Sequence, residues 1–430
     1  MEAVSNYKQK IQFVTGFAGS GKSTKLAESA VGKEDVLVLT PTHKAAEVLM
    51  AKGIVNVFTI HSVLKLVPTI NENFRRGQRM QKLKKIGGVD LADIGKIAID
   101  EFSMIPVDIM DMLLELLPEH CLVLVFGDPF QLPPIDGEAV DPLTYTDNIL
   151  ELTTQHRAEA PEVVETFMRF MHYIKGDGEM NLKMNPAIKE GNLDDFNPGT
   201  DRILAYTNDK VLELNAMAAK VLGKPEAIAV NEDITMNGIP CMRNIDGLDI
   251  EGLIYPTCIS KGKLMQGNKL SKAMLKTQED IIKFRTNLSM YDNYAVKTSE
   301  GTYVLFYDLK HYANAKLLKA EVEKYQHLVV ETHGLKEEDS VKEFCYNNKG
   351  KQYVKERGTA WKNYLAHQNL VFDIRRPFAT TIHKAQGQEF DTVYIAQTDI
   401  KRSIRQGYYL QYAKLMYVAL SRARKRVVLV

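Results

Sequence analysis

Gly16-Phe17-Ala18-Gly19-Ser20-Gly21-Lys22-Ser23 follows directly on the apolar run Ile11–Thr15 and opens a helical stretch, Ser23–Val31. The octet fits GxxxxGK[ST] in the context that pattern requires, a strand before it and a helix after it. Its glycines let backbone N–H groups close around phosphate oxygens, and the helix N-terminus adds the positive end of its dipole. Gly16, Ala18, Gly19, Ser20, Gly21 and Thr24 would form the cradle. Lys22 would reach the β- and γ-phosphates, and the Ser23 hydroxyl would hold Mg2+. A Gly-rich turn capped by Ser has the same composition. Read as a phosphate loop, the octet by itself specifies only a nucleoside triphosphate.

Three more apolar runs follow, Val36–Thr40, Ile97–Asp100 and Leu122–Gly127. All are short, Val- and Ile-rich and non-alternating, the pattern of parallel strands buried on both faces. Helical stretches such as Thr42–Lys52, stopped by Gly53, separate them. The chain is therefore α/β, and ligands should gather outside the carboxyl ends of its strands. One strand runs into Asp100-Glu101. The first acid can hold the metal ion, and the second can orient or deprotonate an attacking water, which points to hydrolysis. Another strand ends in Gly127-Asp128-Pro129-Phe130-Gln131, where Gln131 can sense a γ-phosphate or its water. Gly-Asp-Pro is also simply a turn. Thr40-Pro41-Thr42-His43 and Thr59-Ile60-His61-Ser62 put hydroxyls, imidazoles and helix-start amides on the same face. Such groups can hold phosphodiesters without reading bases, or merely cap helices.

With 430 residues, the chain allows two or three domains at about 150 residues each. No run of about 18 apolar residues suggests a membrane span, and the polar stretch 1–10 lacks the apolar core of a secretory signal. Cys121, Cys241, Cys258 and Cys345 form no CxxC pair, so neither a zinc site nor a disulfide framework is expected. A reducing, cytoplasmic setting fits. Lys plus Arg is 55 against 54 Asp plus Glu, a net charge of +1, which excludes a strongly basic whole chain but not local basic surfaces.

A second α/β half begins near residue 156, with strand candidates at Ile203–Tyr206, Thr392–Ala396 and Val427–Val430. Residues 66–95 lack sheet or helix rhythm. Within them Arg75–Lys85 carries six basic residues and no acid. Residues 225–370 read as a second insertion of polar turns, short strands and charged helices. Tyr294–Val296 and Thr302–Tyr307 flank a turn as a hairpin would. Lys261–Lys276 is a further basic stretch, read as a solvated surface. Trp361, at helical spacing from Tyr364 and Leu365, reads as core.

The ordered set of motifs resembles the superfamily 1B (RecD-like) DNA helicases. Gly16–Ser23, Pro41–Ala46, Thr59–Ser62, Asp100–Met104 and Gly127–Pro134 look like the first half of such an enzyme. Leu152–Arg157 resembles motif IV, and Tyr206-Thr207-Asn208 with Asn215 resembles motif IVa. Thr380–Gly387 resembles motif V and Tyr417–Arg424 motif VI. The resemblance implies two RecA-like domains, 1–155 and 156–430, facing each other across an ATP cleft. Each carries an insertion, a pin at about 66–95 and a larger β-rich, SH3-like subdomain at about 225–370. Arg157 and Arg422 would act as arginine fingers, with Gly387 also at the nucleotide. Thr40, Pro41, Thr42, His43, His61, Asn208, Thr381 and His383 would line a single-strand channel, with movement 5′ to 3′. Phe74 would be the aromatic of the pin, with Arg75, Arg76 and Arg79 on backbone phosphate. Packing of Phe74 into the insertion's own core is the competing reading.

The implied cofactors are ATP and Mg2+. The implied partners are single-stranded and duplex DNA and possible single-strand-binding or replisome proteins, with the helicase active as a monomer. Relatives carry an adenine-reading Gln well upstream of the phosphate loop. Fifteen residues precede Gly16 here, and Gln9 and Gln12 stand too close, so other nucleoside triphosphates would also serve. A P-loop kinase or GTPase-like switch, an ATPase-dead binding module, and an RNA helicase or protein-stripping translocase are the alternatives. The first would not need Gln131, Arg157 and Arg422 in this order. The second is disfavoured by intact Lys22, Asp100 and Glu101.

Overall fold

The computed structural model describes residues 9–75, 78, 80–85, 87, 91–135, 137–156, 159–225, 233–236, 239–245, 292–298, 301–307, 311–344, 350–372, 374–405 and 407–430. These fall into two compact units. One comprises Met1–Leu66, Lys85–Lys224 and Phe378–Val430; the other comprises Val67–Lys84 and Pro225–Pro377. No helix among the described residues is long and apolar enough to cross a membrane.

The first unit holds two parallel sheets. In the first, the strands run in the order Val57–Thr59, Val36–Thr40, Lys96–Ile99, Leu122–Gly127, Ile11–Gly16, Ile149–Leu152. Their apolar runs are buried almost without alternation, because helices cover both faces. Phe13, Leu39, Ile97, Ile99 and Val123 pack into the core on one side, and Val14, Val38, Ala98 and Phe126 into that on the other. The second sheet has the order Ala379–Thr381, Arg202–Ala205, Phe390–Ile395, Ala423–Leu429, Ile188–Glu190, again parallel. Its core includes the helix Tyr409–Leu420, whose residues Tyr412–Ala413 and Leu415–Leu420 are all buried. Helix starts follow their caps. The Thr42 hydroxyl accepts from Ala45 N–H at 3.2 Å, and that of Thr207 from Lys210 N–H at 3.3 Å.

Residues 66–95, which include Val67–Lys84 of the second unit, do contain regular structure, missed because its strands are short. Leu66–Ile70 and Gln81–Lys85 form a two-stranded sheet. The hairpin Asp292–Thr298/Gly301–Tyr307 lies within a six-stranded sheet. Among its described residues the larger insertion is no more strand than helix. His311–His333 and Lys351–Leu370 are long helices packed against each other.

The core beside these helices corrects two expectations. Phe74, expected as an exposed stacking aromatic, is 2% exposed and packs with Met80, Val322, Ala360 and Trp361. Its burial is reinforced by Gln326, whose Nε2 donates to Glu72 O at 3.1 Å and Phe74 O at 2.9 Å. Arg357 donates in turn to Gln326 Oε1. Arg75, expected on phosphate, donates instead to Lys336 O and Asp339 O, each at 2.8 Å. Arg76, Arg79 and Lys261–Lys276 lie outside the described residues. Trp361 stacks on Tyr364 at 5.7 Å, as core. Phe74→Ala is therefore expected to cost about 3–5 kcal/mol of stability by opening a cavity. Denaturant titration reads this directly, and an unmoved midpoint would contradict the packing.

Candidate active site

The adjacent strands Val36–Thr40, Lys96–Ile99, Leu122–Gly127 and Ile11–Gly16 are parallel, so their carboxyl ends open on one edge. Every residue expected to do chemistry in the first half follows one of those ends. The phosphate loop runs from Gly16 to the helix Lys22–Ala30. Gly19 and Gly21 have φ of 85° and 89°, a left-handed conformation that a side chain would strain. Space excludes side chains too. A Cβ on Gly16 would press on Ser20 Oγ and come within 2.7 Å of Leu152 O, and one on Gly19 would press on Gln155 Oε1. Lys22 Nζ donates to Gly16 O at 2.7 Å and Phe17 O at 2.8 Å, laying its ammonium back along the loop. Ser20 Oγ is buried and has no hydrogen-bond partner among the described residues. A tight all-backbone turn, an ammonium and an unpaired hydroxyl fit a phosphate chain.

Asp100 continues from the strand Lys96–Ile99, and its N–H donates to Leu39 O at 2.8 Å. Burial raises its carboxyl to about 7, and the Glu101 carboxylate adds to the rise; the Glu101 N–H, Lys22 and Lys52 oppose it. A cation would hold this acid ionised. Ser23 and Asp100 are a hydroxyl–carboxylate pair of the kind that binds Mg2+ together with phosphate oxygens and water. Among the described residues no cluster of three or more His, Cys, Asp or Glu could hold a metal alone. Glu101 has φ 53° and ψ 49°, a left-handed non-glycine residue, costing about 1–3 kcal/mol of strain of the kind that collects at functional sites.

The second sheet closes on this edge. A Cβ on Gly387 (φ 73°) would lie 3.9 Å from Glu101 Oε1. Gln131, buried, accepts from Gln386 Nε2 at 3.2 Å. Gln155 Nε2 donates to Ala18 O at 3.1 Å, and His156 N–H to Gly19 O at 2.9 Å. The Tyr417 hydroxyl bonds both Ala18 N–H and Asp128. Arg422 is 3% exposed, and its guanidinium donates to Val418 O, Gln388 O and Ser421 Oγ at 3.2, 3.3 and 3.0 Å. Arg157 lies outside the described residues.

Residues 1–184 match the model of an AAA domain, and residues 378–430 that of a UvrD-like helicase C-terminal domain. The chain is 24% identical over 425 residues to the ATP-dependent DNA helicase dda of Enterobacteria phage T4, covering 92% of this chain and 89% of that protein. The chain resembles a superfamily 1B helicase of the Dda kind. An uncharacterized protein of Methanocaldococcus jannaschii is 23% identical over 99% of this chain and 37% of its own length. A solved Pif1 helicase from Bacteroides, in complex with ADP-AlF3 and ssDNA, superposes with a TM-score of 0.45 at 17% identity, covering 100% of this chain and 90% of that one.

The Dda-like motifs thus stand in two groups. The group expected at the nucleotide is Gly16 to Thr24 with Asp100, Glu101, Gln131, Gly387 and Arg422; of these, Asp100 feels the Lys22 charge and Gly387 lies beside Glu101. The strand-channel group is less uniform. Thr40 is fully buried and donates to Thr42 O at 2.9 Å; Thr381 is buried and accepts from Lys384 N–H at 3.3 Å. Both were expected to touch DNA. Both instead shape the turns that follow their strands, because a β-branched hydroxyl residue ending a buried strand has its own backbone nearest. His61 is exposed and Pro41 half-buried, while Asn208 opens the helix Asn208–Val221. The His43 side chain lies outside the described residues. The half-buried His383 ring lies 6.3 Å from that of Tyr206, and burial lowers its pKa, keeping the imidazole neutral.

Sequence reasoning missed several participants. Asp128 was legible only as a turn. Tyr417 was quoted as the first letter of motif VI without a role. Asp399, buried, accepts from Tyr206 N–H and Thr207 N–H at 2.9 and 2.8 Å and so holds motif IVa. Nothing near Asp399 in the sequence marks it.

Proposed function

We propose that this chain is an ATP-dependent DNA helicase that moves 5′ to 3′ along a single strand and separates duplex DNA ahead of it. The observation that supports the reading is the contact between the loops at the carboxyl edge of one sheet and the other sheet's motif residues: Tyr417 bonds Ala18 in the phosphate loop, Gln386 bonds Gln131, and Gly387 approaches Glu101. Two sheets sharing one nucleotide site can be drawn together by ATP and released by its hydrolysis, a population shift driven by differential binding. In this reading Ser23 and Asp100 hold Mg2+, which when bound neutralises phosphate charge. Lys22 holds the β- and γ-phosphates, Glu101 takes the proton of the attacking water, and Gln131 senses the γ-phosphate. Arg422, with Arg157, offsets charge developing in the transition state. Exposed His61 and Asn208, with half-buried Pro41 and Thr42 and the helix-start amides beside them, hold the strand by its phosphates.

Matched duplexes with a 5′ or a 3′ single-stranded tail, made as DNA and as RNA, test the proposal. ATP should separate the 5′-tailed DNA and leave the 3′-tailed DNA paired. Preferential opening of RNA, or of the 3′-tailed duplex, would overturn the substrate or the direction. ATP hydrolysis unmoved by single-stranded DNA would overturn the helicase reading itself.

A further inference from the structure

Tyr417 is fully buried on the last turn of the helix Tyr409–Leu420, in the second sheet's layer. Its hydroxyl accepts from Ala18 N–H at 2.8 Å, inside the phosphate loop, and donates to Asp128 Oδ2 at 2.6 Å. Asp128 is itself fully buried, and its Oδ1 accepts from Phe130 N–H at 2.9 Å. Each Asp128 oxygen thus has its donor. The phenol ring is held edge-on by Phe167 at 5.8 Å and Phe130 at 6.3 Å. Burial, then the Asp128 charge, raises the Tyr417 pKa well above the ordinary value, so its proton stays available for donation.

A buried tyrosine needs some partner for its hydroxyl, and a carbonyl of its own layer would suffice. Here the side chain comes from one sheet's helix and both partners come from the loops of the other. Arg422 follows directly on that turn: Ser421 N–H donates to Tyr417 O at 3.0 Å, and the Arg422 Nε donates to Val418 O and its Nη2 to Ser421 Oγ. The Arg422 charge is close enough to oppose the rise in the Tyr417 pKa. Fixing Tyr417 therefore fixes the turn from which Arg422 projects.

We propose that Tyr417 is a positioning residue, whose hydroxyl registers the Arg422 turn against the phosphate loop and the Asp128 strand end. The inference rests on the helicase reading above, with Arg422 as the finger. A finger contributes to the transition state, not to ground-state binding, and small misplacements are costly. Loss of the hydroxyl should therefore appear in kcat. The ground-state groups, Lys22 and the loop glycines, keep their own bonds, so KM should barely move.

Tyr417→Phe keeps the ring and its packing. The expected result is a fall of about 10- to 100-fold in kcat for ATP hydrolysis stimulated by single-stranded DNA, with KM for ATP within about threefold of wild type. Asp128→Asn keeps volume but replaces one acceptor with a donor, and should give the same kcat-only loss. The double variant should lose no more than the worse single one, because both act on one network. Wild-type kcat in Tyr417→Phe, a rise in KM with kcat kept, or additive losses would each overturn the proposal. Should Tyr417→Phe fail to fold, Asp128→Asn alone decides by the same kcat-against-KM split. Wild-type protein run alongside separates the two readings. If its hydrolysis ignores single-stranded DNA, the helicase reading fails; if it responds and the variants match it, only the Tyr417 inference fails.

Discussion

Lys22→Ala should reduce ATP hydrolysis by about a thousandfold or more while single-stranded DNA binding stays within about threefold. The ammonium is the one cationic side chain contributed by the phosphate loop itself, and its bonds to Gly16 O and Phe17 O keep it beside the turn that cradles phosphate. Alanine supplies no charge for the β- and γ-oxygens. It also removes one of the cations that oppose the rise in the Asp100 pKa, so that acid becomes harder to ionise. The fold should tolerate the change. Position 22 is the first residue of its helix, where alanine is the best helix former, and the Lys22 bonds to Gly16 O and Phe17 O are side-chain bonds that the helix itself does not need. Pro41, Thr42, His61 and Asn208, which we propose hold the strand, sit on other elements. Steady-state hydrolysis alongside fluorescence anisotropy on a labelled oligonucleotide reads both halves. Unchanged turnover would show that the nucleotide sits elsewhere.

The first sheet was legible because each of its central strands is an uninterrupted apolar run ending in a chemically marked residue. Val36–Thr40 and Leu122–Gly127 occupy the bounds their composition implies. Parallel strands buried on both faces admit few other sequences, so burial writes itself into the chain. Asp100-Glu101 was legible as a marked strand end for a related reason: carboxylates seldom follow directly on a buried apolar run. Tyr417 and Asp128 were not. Their significance lies in a pairing between residues 289 positions apart, and a tyrosine in an apolar helix looks like core until its hydroxyl is traced.

The insertions were legible by position but not by content. Arg75–Lys85 reads as a basic run whose arginines would hold backbone phosphate, yet Phe74 and Met80 on either side of its first half are core, and Arg75 is tied to Lys336 O and Asp339 O. The apolar partners Val322, Ala360 and Trp361 come from helices far along the chain. A short segment with one or two apolar residues carries no periodicity to announce such a partnership. Thr40 and Thr381 teach the converse lesson. Their place in a motif suggests contact with DNA, but both are buried and their hydroxyls bond within the turns that follow their strands.

Arg422→Lys should lower kcat by about a thousandfold, with KM for ATP changed by no more than about threefold. Lysine keeps the charge and most of the stem but not the planar fork, which is what makes arginine suited to spreading phosphoryl charge. The structure sharpens the expectation. Arg422 is not a loose surface side chain: three carbonyl or hydroxyl oxygens, from Val418, Gln388 and Ser421, fix its plane. A lysine ammonium could satisfy some of these acceptors but not hold the fork's orientation, so the second sheet's contribution would be lost even with charge retained. Arg422→Ala would confound the result, because it strips donors from buried carbonyls and should cost stability as well. A thermal midpoint for the lysine variant within a few degrees of wild type, together with a kcat-only loss, identifies Arg422 as a transition-state group. An equal loss in KM would instead mean that Arg422 binds the ground-state nucleotide. In that case closure of the two sheets would be a condition of binding, not of hydrolysis, and the motor would be driven by capture of ATP.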